Sequence, residues 1–247
     1  MKNQKSLETK RQTTQLTDDT CGKGAERLFK YDTHAHTEET SPCSYVPAAR
    51  LTDAYKALGY HGFIVTDHMY GNYINRLFCK NDWDACVDQF LKGYNAAKKQ
   101  GDKIGINVLL GMEIRFDAYR NDFLIYGIDE AFLKRTPYPY KMTPQDYFKQ
   151  FKDEILMIQA HPFRDGNQRT FERYVHGLEV NNAHPRHTNR NDLAQKLHQK
   201  NAHLFPMAGS DAHILEDVGG ASIMLEHKVC NAFDFRDAIL NKKYKIC

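Results

Sequence analysis

The 247-residue chain is 41% apolar and 26% charged, ordinary globular usage that excludes global disorder and supplies enough apolar surface for a sizeable core. Its formal net charge of +3 is too small for the concentrated basic face of a nucleic-acid or anionic-membrane partner, so neither is expected. Six scattered cysteines without a CxxC pair, Cys21, Cys43, Cys79, Cys86, Cys230 and Cys247, exclude a zinc knuckle or dithiol motif and read as free thiols in a reducing cytosol. Residues 1–27 are polar, with no apolar periodicity and no stretch suited to a signal or membrane anchor, and predict a flexible arm preceding one domain over residues 28–247.

From Leu28 onward short β-like runs alternate with helical patterns, the order of a parallel sheet with helices packed outside it. The first run is Leu28 to Thr33. Pro47 can occupy the first turn of a helix with Leu51, Tyr55 and Leu58 on one stripe, and Gly59 can end it. A strand at Gly62 to Thr66 follows, then one helix over Asp82 to Lys99 that stops at Gly101. The remaining strands are expected at Ile106 to Ile114, Phe123 to Ile128, Ile155 to Gln159, Gly177 to Val180, Leu204 to Ala208 and Ala221 to Leu225. Thr143 and Pro144 open a further helix through Phe151, and two more lie at Asn191 to Lys200 and Phe233 to Leu240.

Chemistry concentrates where these strands end. His34 and His36 follow the first run, and a spacing of two on an extended backbone sends both imidazoles to one face. Asp67 and His68 end the second strand, Glu113 the third, and His161, followed by Pro162, ends Ile155 to Ala160. Asp211 and His213 follow Phe205 to Ser210. In a parallel barrel all strand C-termini open on one face, so residues far apart in sequence converge there. Imidazoles and carboxylates together are a ligand set for zinc, manganese or iron. His61, His176, His198, His203 and His227 lack that placement and read as ordinary surface or core residues.

The ordered set Asp32-x-His34-x-His36-Thr37, Thr66-Asp67-His68, Gly111-Met112-Glu113, Ala160-His161-Pro162 and Gly209-Ser210-Asp211-Ala212-His213 resembles the successive motifs of the PHP (polymerase and histidinol phosphatase) family. The resemblance covers about residues 30–225. It implies an α/β fold, a distorted TIM-like barrel of seven rather than eight β/α units, with two or three divalent cations (Mn, Zn or Fe) at the C-terminal ends of the strands. By this resemblance His34, His36, Glu113 and Asp211 hold one cation, Glu113 bridges to a second held by His161, and His68 with His213 hold a third. Two departures stand out. Where family members often carry an Asp or His shortly after the second His, this chain reads Thr40-Ser41-Pro42-Cys43, which leaves the third site short of a strong ligand. Where a His commonly follows the Glu on the next strand, this chain has Asp122 as the candidate substitute.

Two cations about 3.5 to 4 Å apart can share a water and poise a bridging hydroxide for in-line attack on a phosphate ester, and Asp211 can orient it. Asp32 and Asp67 are the expected acceptors for the ligand imidazoles. Arg164, Arg115 and Arg186 are candidates to grip a small phosphorylated metabolite, and His184, with His187 beside it, to donate a proton to the leaving group. Tyr70, Tyr73 and Phe78 would shape the pocket wall. Hydrolysis of an amide or carboxylic ester uses the same centre, and a non-catalytic metal-binding regulatory domain accounts for a depleted third site. The oligomeric state is not legible.

Overall fold

A computed structural model describes residues 28–74 and 82–247. The arm expected over residues 1–27, with Cys21, and the positions of Phe78 and Cys79 lie outside the described residues. The strands are β1 (Phe29–Ala35), β2 (Gly62–Val65), β3 (His68–Tyr70), β4 (Asn107–Leu110), β5 (Met112–Arg115), β6 (Asp122–Tyr126), β7 (Leu156–Gln159), β8 (Gly177–Asn182), β9 (Phe205–Gly209), β10 (Ile223–Leu225) and β11 (Tyr244–Ile246). The helices are α1 (Ala48–Ala57), α2 (Gly71–Ile74), α3 (Trp83–Phe90), α4 (Lys92–Ile104), α5 (Glu130–Arg135), α6 (Pro144–Phe151), α7 (Asn191–Lys200) and α8 (Ala232–Leu240).

Helices α3, α5, α6 and α8 begin where a capping side chain satisfies otherwise unpaired backbone donors. Asp82 accepts from Ala85 N at α3, Thr143 from Asp146 N at α6 with Pro144 in the first turn, and Asn231 from Phe233 N and Asp234 N at α8. The single helix expected over 82–99 is two, α3 and α4, parted at Leu91, and α4 continues through Gly101 to end at the left-handed Gly105. Gly101 is a packing position instead of a stop: a Cβ there would lie 2.7 Å from Ile106 O and from Val108 Cγ2.

The strands register as two sheets, β11-β10-β1-β2-β4 and β3-β5-β6-β7-β8-β9. The run expected over Ile106 to Ile114 is cut at Gly111, so β4 belongs to the first sheet and β5 to the second. The expectation of uniformly parallel strands fails at β6, antiparallel to both β5 and β7, and at β10, antiparallel to β1 and β11. The reason at β6 is length: residues 116–121 are too few for a crossover and suffice only for a hairpin. Reversal leaves the start of β6 at the same end as the finish of β5, with Asp122 opposite Arg115.

The two sheets meet at two seams. At one, Gly111 N donates to Val65 O; at the other, Asp211 N donates to His34 O at 2.8 Å and Ala35 bridges Ala212. Side chains of both sheets share one apolar interior, including Tyr31, Ile64, Leu109, Leu124, Ile158 and Met207. Helices α3 and α6 cover the outer faces of β5, β6 and β7, while α1 and α4 cover β2 and β4.

Among the described residues Cys43, Cys230 and Cys247 are free thiols. Among the described residues no helix is long and apolar enough to cross a membrane.

Candidate metal centre

The interior of the sheets opens at one end onto a cluster of imidazoles and carboxylates. In β1, Tyr31 joins the shared interior and Ala35 the outer cluster under α1. A register shift between Asp32 and Ala35 in the pairing with β2 resets the alternation. His34 and His36 are both fully buried beyond it. Glu113 turns inward because Met112 and Ile114, its neighbours on β5, pack outward among the helices. His161 and Asp211 follow β7 and β9 in left-handed backbone, with φ of 24° and 54°. Such conformations are costly for residues other than glycine and are kept where the surroundings impose them.

Among the described residues four overlapping groups have ligand atoms within 4.8 Å of one another: His34 with His36 and Asp211; His34 with Glu113 and His161; His36 with His68 and His213; and His184 with Asp211 and His213. His36 Nε2 lies 3.2 Å from Asp211 Oδ1 and 3.6 Å from Glu113 Oε2, and His34 Nε2 lies 3.5 Å from Asp211 Oδ1 and 3.6 Å from Glu113 Oε1. Two ligand atoms about 2.1 Å from a shared cation lie about 3 to 3.5 Å apart. His161 Nε2 and His68 Nδ1 approach opposite oxygens of Glu113, at 3.0 Å from Oε1 and 2.7 Å from Oε2. Glu113 therefore faces two sides at once, the position a bridging carboxylate requires.

The decisive observation is what these atoms lack. His34 Nε2, His36 Nδ1 and Nε2, His68 Nδ1 and Asp211 Oδ1 are buried without an aligned hydrogen-bond partner among the described residues. Orphaned polar atoms in a protein interior are expensive and scarce. Five of them in one cluster fit a site completed by cations.

Charge agrees with this. Burial pushes the Glu113 and Asp211 carboxyls up, but His68 and His34 beside Glu113, and His34 and Arg164 beside Asp211, hold both well below the usual carboxylate range. Burial, with His68 and His213 adjacent, pushes His36 well down. Burial lowers His34 and His68 too, but Asp211 and Glu179 beside the first raise it well above the usual imidazole value and Glu113 beside the second holds it at about 10, so in the protein alone two ionised carboxylates face protonated His34 and His68 and a neutral His36.

Asp122 stands apart from the groups. Arg115, its cross-strand neighbour, takes both carboxylate oxygens at 2.7 Å each, and Oδ2 is 3.9 Å from His161 Nε2. Asp32 and Asp67 do not accept from ligand imidazoles. Asp32 accepts from the backbone N–H of His34 and Ser210 and from Tyr55 Oη, whereas Asp67 accepts from Thr37 N, Thr37 Oγ1 and Ser41 Oγ. Burial pushes both acids up to about 6 against these bonds. The acceptor for His34 Nδ1 is Glu179, at 2.9 Å, which also takes His161 N at 2.9 Å. Sequence reasoning missed it, although a carboxylate inside the apolar run Gly177-Leu178-Glu179-Val180 was the available signal.

Beside the centre lies a cavity of about 1210 Å³ whose lining includes His68, Glu113, His161, His184 and His213. Tyr70 and Tyr73 line it, as expected. So do Arg115, Arg164 and Arg186, but each is already engaged: Arg115 by Asp122, Arg186 by Asp217 at 2.7 and 2.8 Å, and Arg164 by Asp211, Asn182 and Asn189. Arg120 and Arg169, which the sequence did not single out, line the same cavity without a carboxylate partner among the described residues. Arg169 lies 4.4 Å over the Tyr119 ring. His184 Nδ1 donates to Asp211 O at 2.9 Å, and burial lowers its pKa to about 4. His187 pairs with Asp165 at 2.7 Å.

Cys43 also enters this cavity. Its Sγ is 3.1 Å from His68 Nε2. Burial raises the thiol pKa, but hydrogen bonding with His213 and His68 outweighs it and holds the thiol at about 6.

Comparison of the whole sequence with protein families matches the PHP domain over residues 32–209. The chain belongs to the PHP domain family. A second match, to the PHP-associated segment, covers residues 188–244. No curated protein matches the sequence. Among solved structures this PHP domain is similar to PsfC from Pseudomonas syringae, with 20% identity over 85% of this chain and 88% of that one at a TM-score of 0.60. It is also similar to a two-domain protein from Bacteroides vulgatus described as containing a PHP-like metal-dependent phosphoesterase, with 20% identity, 90% and 65% coverage and a TM-score of 0.64. This PHP domain thus spans about two thirds of that protein. A third likeness, 16% identical over 86% and 96% of the chains with a TM-score of 0.51, is to a protein from Bifidobacterium adolescentis described as a metal-dependent phosphoesterase. At these identities the likenesses establish the fold.

Proposed function

We propose that this PHP domain hydrolyses phosphate esters of small metabolites, using two or three divalent cations drawn from manganese, zinc and iron. The observation that carries the reading is the set of buried, partnerless ligand atoms on His34, His36, His68 and Asp211 around the two-faced Glu113. The descriptions of the B. vulgatus and B. adolescentis proteins support the same reaction class. In this reading residues 28–247 act as one domain, and the two sheets are halves of a distorted seven-unit barrel.

His34, His36, Glu113 and Asp211 would hold one cation, Glu113 and His161 a second, and His68 and His213 a third. Cations there supply an activated water and charge neutralisation at a phosphoryl group. The protein's own part is orientation. Arg164 fixes the Asp211 carboxylate with Asn182, and Glu179 fixes the tautomer of His34. Because its Nδ1–H is committed to a carbonyl, neutral His184 offers Nε2 as an acceptor. It is therefore better suited to take a proton than to give one to a leaving group. Arg120 and Arg169 are the guanidiniums free to meet substrate oxygens, while Arg115, Arg164 and Arg186 meet them only by sharing their present partners.

The test is a panel of phosphomonoesters, phosphodiesters, amides and carboxylic esters assayed with manganese, zinc or iron(II). Phosphate release by the wild type, lost in His34→Ala and Glu113→Ala, is expected. Turnover of only amides or esters, or activity surviving both substitutions, would overturn the reading.

A further inference from the structure

The third cluster, His36 with His68 and His213, is the one for which the sequence offers no carboxylate or imidazole after the second histidine of β1. The turn that follows β1 nevertheless carries a donor into it. Ser41 ties this turn to the His68 strand, donating Oγ to Asp67 and accepting from His68 N at 3.1 Å. Ser44 and Tyr45 tie its other end to the His213 segment: Ser44 Oγ donates to His36 O at 3.1 Å and to His213 O at 3.2 Å, and Tyr45 N donates to His213 O at 2.8 Å. Between these attachments the Cys43 thiol is free of any disulfide and reaches His68 Nε2 at 3.1 Å.

A second observation marks the same place as a ligand site. The His36 ring, fully buried, has no aligned hydrogen-bond partner on either nitrogen among the described residues and stacks on His68 at 4.2 Å and against His213 at 4.4 Å between ring centroids. Cys43 adds a soft sulfur donor beside the imidazoles of His68 and His213, whose neighbouring carboxylates are Glu113, 2.7 Å from His68 Nδ1, and Asp211, 3.4 Å from His213 Nδ1.

Resting on the metal-centre reading above, we propose that Cys43 is a thiolate ligand of the cation held by His68 and His213, so that this position takes a thiophilic ion such as zinc, iron(II) or cobalt(II). The sulfur stands in for the harder side chain that the sequence lacks there. A cation there would take the sulfur as thiolate, and the proton now shared between Cys43 Sγ and His68 Nε2 would leave to solvent. Oxygen-preferring magnesium gains nothing from this ligand.

The experiment is titration of the metal-free full chain with cobalt(II), followed by absorption spectroscopy. A sulfur-to-cobalt charge-transfer band in the near ultraviolet is expected in the wild type and is lost in Cys43→Ser, whose fold is checked by circular dichroism. In the wild type, which needs no substitution, zinc protects the Cys43 peptide from iodoacetamide while magnesium does not, as read by mass spectrometry. Cobalt bound without the band, a band retained in Cys43→Ser, or alkylation of Cys43 unaffected by zinc would overturn the thiolate assignment alone. No cobalt bound at all would overturn the metal centre with it.

Discussion

Glu179 accepts from His34 Nδ1 and from the backbone N–H of His161, so one buried carboxylate orients ligands from β1 and from the loop after β7. Its Oε2 also takes Asn182 Nδ2 at 3.0 Å, which links it to the Asp211 side of the centre. Replacing it with an amide removes the charge that favours the His34 Nδ1–H tautomer and leaves Nε2 a weaker ligand. Glu179→Gln is expected to fold yet to bind zinc about 10- to 100-fold more weakly, measured by competition with a chromophoric chelator. The candidate ligands were legible because His, Asp and Glu recur at or near successive strand ends, although His34 and Glu113 lie just inside β1 and β5. Glu179 was not, because it stands alone in an apolar run and touches them only through the fold.

At the level of elements, β9 runs so close to β1 that a side chain at Gly209 has no room: a Cβ there would run into His34 Cβ and come within 3.2 Å of Glu179 Oε1. The close approach brings Asp211 N onto His34 O and sets the seam that joins the sheets beside the ligands. Gly209→Ala is expected to destabilise the protein by about 1 to 3 kcal/mol through overpacking. Because the strain falls on His34, bound metal should drop along with the midpoint of chemical unfolding, read on the same sample by elemental analysis. The antiparallel β6 belongs to this scale as well. The short connection 116–121 was in the sequence, but alternation of strands and helices weighed more heavily in reading it. Its reversal gives Asp122 to Arg115 across the hairpin and takes it out of the ligand groups.

For the molecule as a whole, the candidate ligands from both sheets converge only when the chain is folded, so in the proposed reading cations would bind the native state and leave the unfolded chain largely untouched. Folded stability should therefore rise with free metal, by about 2.7 kcal/mol at a hundredfold excess over the dissociation constant, and a chelator should reverse it. A melting temperature indifferent to both zinc and chelator would contradict a cation-completed interior. The sequence by itself determined the set of candidate ligands and the alternation of strands and helices, because imidazoles and carboxylates at strand ends, apolar periodicity and capping residues are local signals. Tertiary structure alone decided the partners: Glu179 for His34, Arg115 for Asp122, Asp217 for Arg186 and Cys43 beside His68. These pairings span seven to 145 positions along the chain and depend on distances of a few ångströms, which no local pattern records.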